Sequence, residues 1–175
     1  EGYETASIAC TGAQVTPIDA RTAAVRIRPA TTVTCTFTHR PPQPRLTDVT
    51  QVSVGLDHTC AVVSGGQARC WGFDQDGAPL GDGGFDDSTV PVVVQAPDAS
   101  GPLTDVRSIS AGFGQTCAAL TSGEARCWGY NTNGIGDGTT VIRPRPVAVS
   151  NPAGTGPLTG VADVSAAAGY SCAEL

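Results

Sequence analysis

The stretch TCAVVSGGQARCWG at residues 59–72 returns as TCAALTSGEARCWG at residues 116–129, and its reading decides the fold. Cys60 in the first copy corresponds to Cys117 in the second, and a third copy opens as SCAEL at residues 171–175, where Cys172 takes the same place. A period of this order, with small length changes between copies, marks an array of supersecondary units. Each copy reads as a β-hairpin, because two short runs of β-formers, Cys and small residues flank a Gly-containing turn. The positions of Cys60 and Cys70 have an even sum, so the two cysteines lie directly opposite each other only across an odd-numbered loop, here centred on Gly65. A three-residue loop of this kind is a type I turn followed by a left-handed residue, the place taken by Gly66 and Gly123. Opposed cysteines lie within disulfide reach, which predicts the bridges Cys60–Cys70 and Cys117–Cys127. The alternatives are reduced core thiols or zinc, but no close Cys-x-x-Cys pair or paired His accompanies the cysteines.

The repeat openings align as LTDV at Leu46, LTDV at Leu103 and LTGV at Leu158. Four strands are expected in each copy: VTQVSV, the two hairpin arms, and a Pro-Val strand, VPVVVQ or PVAVS. Four short antiparallel strands per unit and no helical segment suggest blades of a β-propeller. Composition agrees, since Gly at 22, Pro at 13 and only 5% aromatic residues favour many turns and short strands. A net charge of −6, a pI near 4.6 and no basic stripe argue against nucleic acid and anionic membrane surfaces as partners. No apolar run reaches the length of a transmembrane helix.

Residues 1–39 do not match the repeat. TASIAC, TAAVRI and TVTCTFT predict three strands there, and Cys10 and Cys35 would staple them, worth roughly 3 kcal/mol in the chain-entropy model. SIACTG followed by TVTCTFTHR resembles the closing strands of immunoglobulin-like or prealbumin-like β-sandwich domains of bacterial surface proteins. RPPQPR at residues 40–45 reads as a semi-rigid Pro-rich linker. The repeats then divide as 46–96, 97–151 and an incomplete 152–175. No Met stands at position 1, and Cys172 lacks the partner expected ten residues later, so the chain is expected to be a fragment.

GxxHTCA at residues 55–61, CWG at Cys70 and Cys127, NTNGIGDGTT at residues 131–140 and the closing RPVAV resemble the regulator of chromosome condensation repeat. The resemblance covers roughly residues 46–175. It implies an all-β fold, a fragment of a seven-bladed β-propeller with two blades, the start of a third and a partial N-terminal β-sandwich module. The paired cysteines depart from the intracellular members and resemble the Cys-bearing repeats of bacterial extracellular proteins. Disulfides do not persist in a reducing cytosol, so an extracellular or cell-surface location is expected and nuclear exchange activity on a small GTPase is not.

Residues that recur at one offset, such as Asp48 and Asp105, Arg69 and Arg126, or Trp71 and Trp128, are read as architecture, because a single site needs them once. The copies differ most after Cys-Trp-Gly, as FDQDGAPLGDGGFDDS at residues 73–88 and YNTNGIGDGTTVIRPR at 130–145. Asp74, Asp76, Phe85, Asp86, Asp87, Tyr130, Arg143 and Arg145 are therefore the candidate partner-binding residues. Asp74, Asp76 and Gly77 loosely resemble a calcium loop, but the later carboxylate is missing and the second copy has Asn131 and Asn133, so turn formation is the preferred reading. No Gly-x-Ser-x-Gly, Walker loop or His-Glu-x-x-His is present. His58 has Gln115 and Tyr170 as counterparts and is read as structural, and Gly112-Phe113-Gly114 as a strand end. No catalytic residue, metal ligand or cofactor is assigned. The expected function is a non-enzymatic, secreted or surface-displayed protein-binding scaffold, whose partners are a protein or other surface macromolecule and the remaining blades of the same protein. The alternatives are a secreted inhibitor of a hydrolase, or part of a carbohydrate-binding or enzymatic propeller whose site lies in other blades.

Proteolysis of the unreduced chain followed by mass spectrometry should yield the linked pairs Cys10–Cys35, Cys60–Cys70 and Cys117–Cys127, with Cys172 free. Peptides joining cysteines of different repeats would refute the register argument.

Overall fold

The structure is a computed structural model that describes strand segments Glu4–Thr11, Gln14–Pro17, Ala23–Arg26 and Thr34–Arg40, and residues 46–175 except 133. It divides into two compact units, Glu1–Arg45 and Leu46–Leu175. In the first unit, β1 (Glu4–Thr11) pairs antiparallel with β4 (Thr34–Arg40), and β2 (Gln14–Pro17) with β3 (Ala23–Arg26). The sequence announces three of these strands; β2 is the one it does not, a four-residue segment ending in Pro17. The β1–β4 register sets Cys10 opposite Cys35; the cysteine side chains, and hence their bridge, lie outside the described residues. Arg40, expected to open the linker, closes β4 instead, and residues 41–45 lie outside the described residues.

The second unit contains two four-stranded antiparallel meanders and a two-stranded ladder. Blade one is β5 (Val49–Val54), β6 (His58–Val63), β7 (Gln67–Gly72) and β8 (Ser88–Val93). Blade two is β9 (Val106–Ala111), β10 (Gln115–Leu120), β11 (Ala125–Gly129) and β12 (Arg143–Ala148). The third copy pairs β13 (Asp163–Ala166) with β14 (Ser171–Glu174). The Pro-Val strands begin two to three residues earlier than expected. They are edge strands, the position in a sheet that tolerates residues such as Pro91, Pro144 and Pro146 that cannot donate to a ladder.

Cys60 lies opposite Cys70 and Cys117 opposite Cys127, each pair bonded with Cα atoms 4.1 Å apart. This is a little closer than the roughly 4.5–5.5 Å of an ordinary opposed pair. Cys172 is free and exposed. The two hairpin loops have the same length and different turns. Gly123 has φ +83° and its N–H reaches the Leu120 carbonyl at 2.9 Å, closing the expected type I turn with a left-handed residue. In the first copy both Gly65 and Gly66 have positive φ, +85° and +69°, so the central residue takes the φ of a type II turn. Glycine in place of Ser122 makes that form accessible.

Strand alternation distributes the core between neighbouring blades. On β10, Ala118 and Leu120 join Trp128, Leu80, Val62 and the Cys60–Cys70 pair in one buried cluster. Cys117 and Ala119 turn the other way and join Ile135, Val161 and Val164 in a second. Each blade thus presents its disulfide forward to the next blade, and blade two presents Trp128 backward to the first. Polar groups stitch the same boundaries. The Gln51 side-chain amide both donates to the Ile109 carbonyl and accepts from the Ile109 N–H, at 3.2 and 2.9 Å. Ser53 Oγ accepts from Ala111 N–H and Ser110 Oγ from Ala166 N–H, each at 2.9 Å. With Gln51 and Ser53 facing blade two, Val52 and Val54 point oppositely and are exposed.

The recurring LTDV is explained by backbone conformation. Asp48 and Asp105 are left-handed, with φ +57° and +61°, and Gly160 occupies the same place in the third copy at +77°. The Asp48 and Asp105 carbonyls accept the Ser64 and Thr121 N–H at 2.8 Å. Asp tolerates this region better than most residues and Gly without penalty. Asp105→Gly should therefore leave the melting temperature nearly unchanged, whereas Asp105→Val should cost about 1–2 kcal/mol. Equal losses in denaturant melts of the two variants would show that the aspartate side chain, rather than its backbone, is what the repeat retains.

Candidate functional site

The loops after Cys-Trp-Gly are built around one buried polar residue each. Asp74 and Asn131 stand at the same place and both are fully buried. Asp74 Oδ1 accepts the Leu80 N–H at 2.9 Å, and Asn131 Oδ1 accepts the Ile135 N–H at 2.6 Å. Their second atoms differ. Asn131 Nδ2 donates to Asp137 Oδ1, Thr139 Oγ1 and the Val141 carbonyl at 3.1, 3.3 and 2.9 Å, while Asp74 Oδ2 is buried with no partner. An ionised oxygen can only accept, so it cannot reproduce what the amide does. Burial, with the nearby carboxylates of Asp82, Asp87 and Asp86, raises the Asp74 carboxyl to about 6 despite the hydrogen bond from Leu80.

The other candidate residues are dispersed. Asp87 accepts the Asp74 N–H at 2.7 Å and Gln75 Nε2 at 3.3 Å, and Asp82 accepts the Gly84 N–H at 2.8 Å. Asp87 therefore ties the two ends of the loop together, and Asp82 makes a local turn. Among the described residues, no group of three or more His, Cys, Asp or Glu is placed to hold a metal ion. Phe85 and Asp86 are exposed. Arg143 pairs with Asp137 at 2.7 Å, and Arg145 lies against Gly83. Of the eight candidates, the structure joins Asp74 to Asp87 within the first loop and brings Asp76 and Tyr130 together across the blade boundary. The latter pair shares an open cavity of about 550 Å3 between the blade-one and blade-two loops, also lined by Phe73, Phe113, Asp57 and His58. Gly77, Pro79 and Gly114 complete it. Phe113, set aside as part of a strand-end glycine motif, is 56% exposed, and Phe73 is 40% exposed. Phe73 had a signal, since it and Tyr130 are the first residues of the variable loops; Asp57 had none beyond its mismatch with Gly114.

Beside this cavity lies a further polar contact between the two blades. Thr116 Oγ1 donates to the Pro79 carbonyl at 3.0 Å, so it accepts from His58 Nε2 at 2.8 Å. Trp128 Nε1 donates to the same Pro79 carbonyl at 2.8 Å. His58 thus carries its proton on Nε2, and its Nδ1 is buried without a partner. Burial lowers the imidazole to about 4, against a smaller upward pull from Asp57. The contact recurs at the next boundary, where Gln115 Nε2 donates to Ser171 Oγ at 3.0 Å. The same position thus holds His in one copy and Gln in the next, and in both it hooks one blade to its neighbour.

The sequence profile of the Regulator of chromosome condensation (RCC1) repeat matches residues 49–78 and 106–135. The chain is 32% identical over 102 residues to the Ultraviolet-B receptor UVR8 of Arabidopsis thaliana, covering 57% of this chain and 22% of that protein. It therefore spans about a fifth of the length of that relative. Among solved structures it is similar to human WBSCR16, with TM-score 0.55 and 24% identity over 76% of this chain and 32% of that one. It is also similar to Prp20p from Saccharomyces cerevisiae, a protein with binding properties toward Gsp1p and histones. That likeness has TM-score 0.51 and 13% identity over 81% of this chain and 34% of that one. The shared architecture is the β-propeller, and residues 49–78 and 106–135 carry the RCC1-type repeat.

His58 and Asp74 predict opposed pH effects on stability. In the fold Asp74 loses its proton at about 6 rather than at 3.8, so its stabilising protonated form is complete at low pH and lost as pH rises through 6. His58 in the fold gains its proton only at about 4 rather than at 6.5, so its contribution is complete above 6.5 and lost as pH falls toward 4. Each effect is on the order of 2 kcal/mol, and between pH 4 and 6 they offset each other. Asp74→Asn should raise stability at pH 7 and uncover a steep loss between pH 6.5 and 4. Urea melts across that range check it; an unchanged profile would refute the assignment.

Proposed function

We propose that this chain is a non-enzymatic protein-binding scaffold, secreted or displayed on a cell surface, whose variable loops on a repeated frame meet the partner. The observation that carries the reading is where the aromatic side chains stand. Phe73, Phe85, Phe113 and Tyr130 are on exposed connections instead of in the core, and aromatic residues are enriched at the centres of protein interfaces. The hydrogen-bonded frame beneath them is repeated from blade to blade, which suits recognition by loops on a fixed support. Prp20p, which shares the propeller fold, binds other proteins, and this adds support by analogy alone. The two disulfides favour an oxidising location. Residues 1–39 are read as the end of an immunoglobulin-like or prealbumin-like domain, supported by the β1–β4 ladder.

Panning a displayed peptide library against the whole chain should yield ligands of micromolar affinity or better. Their binding should fall at least tenfold when residues 73–88 and 130–145 are replaced by Gly-Ser loops of equal length in a variant that still melts cooperatively. Ligands indifferent to both loops would place recognition elsewhere and overturn the reading.

A further inference from the structure

The cavity between the first two blades is more specific than a general apolar patch. Its walls are aromatic, Phe73, Phe113 and Tyr130, and its charged side chains are Asp57 and Asp76, both exposed. No Lys or Arg lines it. His58, only 3% exposed, is neutral at physiological pH because its imidazole is lowered to about 4, so it adds no positive charge. The next boundary provides an internal comparison. There a smaller cavity of about 230 Å3 is lined by the same Phe113 and Tyr130, with Gly114, Gln115, Ala168 and Gly169, and contains no carboxylate. Gly114 occupies in the second copy the place that Asp57 holds in the first. The charge is therefore a property of one boundary and not of the repeat.

Building on the protein-binding reading, we infer that this cavity is a socket for an arginine side chain of the partner. Three observations favour that occupant. Aromatic faces attract a cation through their quadrupole, and the planar, weakly hydrated guanidinium also stacks on them. Asp57 and Asp76 supply the negative charge that a guanidinium can bridge by charge-assisted hydrogen bonds. The volume exceeds that of one side chain, leaving room for flanking apolar groups of the same peptide.

The probes are N-acetyl-Gly-Arg-Gly-amide and the same peptide with citrulline, which keeps the shape and removes the charge, titrated into the whole chain by amide NMR. The arginine peptide should shift the amides of Asp57, Asp76, Phe113 and Tyr130 saturably at millimolar concentration, and the citrulline peptide should bind at least tenfold more weakly. Asp57→Asn with Asp76→Asn should weaken the arginine peptide at least fivefold without changing the melting temperature, both residues being exposed. Phe113→Leu should weaken it severalfold, with the carboxylates intact. Equal response to citrulline, or shifts confined to other residues, would overturn the socket. A library peptide that binds through the loops while leaving these four amides unmoved would sink the socket and leave the scaffold reading standing.

Discussion

Every middle strand in the repeat unit must satisfy two neighbours at once. On β10 the odd and even positions serve different boundaries, with Ala118 and Leu120 buried against blade one and Cys117 and Ala119 against the third copy. A strand buried on both faces has no solvent side on which to place polar residues. This explains why β10 is buried at every position while β5 at the front of the first blade is not. It also explains the small residues, since close sheets on both sides favour Ala, Cys and Thr on the middle strands, with larger side chains such as Trp128, Leu80 and Ile109 filling the space where the first two blades meet.

What this double burial does not use is left to the connections. The frame consumes the middle strands, the left-handed Asp or Gly at each opening, and one buried amide or carboxyl in each loop. The connections that remain carry the exposed aromatics and the unpaired carboxylates. Asp74 and Asn131 show how narrow the margin is, because two residues of equal shape in one socket differ in a single donor, and that difference leaves Asp74 Oδ2 without a partner.

The period, the hairpins and the cysteine register are legible in the sequence because they are local: partners ten residues apart, joined by a turn, follow from spacing alone. The propeller follows from the recurrence. Less legible is whatever depends on one copy meeting the next. Asp57 and Phe113 lie almost a full repeat apart, and neither recurs as the same residue, so nothing in the chain announces that they line one cavity. Asp74 reads in sequence like the exposed carboxylates of its loop, because composition does not distinguish an aspartate inside a turn from one on its rim. The turn of the first hairpin departs from expectation because a single glycine, Gly65, gives access to a second turn type of equal length. The recurring aspartates are recognisable as architecture, but their reason, a left-handed backbone, becomes visible only with Gly160 at the same sign of φ.

The Trp128-to-Pro79 contact has a direction. The forward face of a blade offers a disulfide and a loop carbonyl, and the backward face offers an indole and a hydroxyl, so a face cannot pair with its own copy. Such a contact is heterologous, and contacts of that kind never terminate in a two-fold pair: they go on to a ring or to an open fibre according to the rotation from one unit to the next. For a chain built this way the angle between blades, set by residues as small as alanine on both sheets, decides between a finite particle and an indefinite polymer. A substitution that enlarges the fully buried Ala118 would then act on packing and on symmetry together.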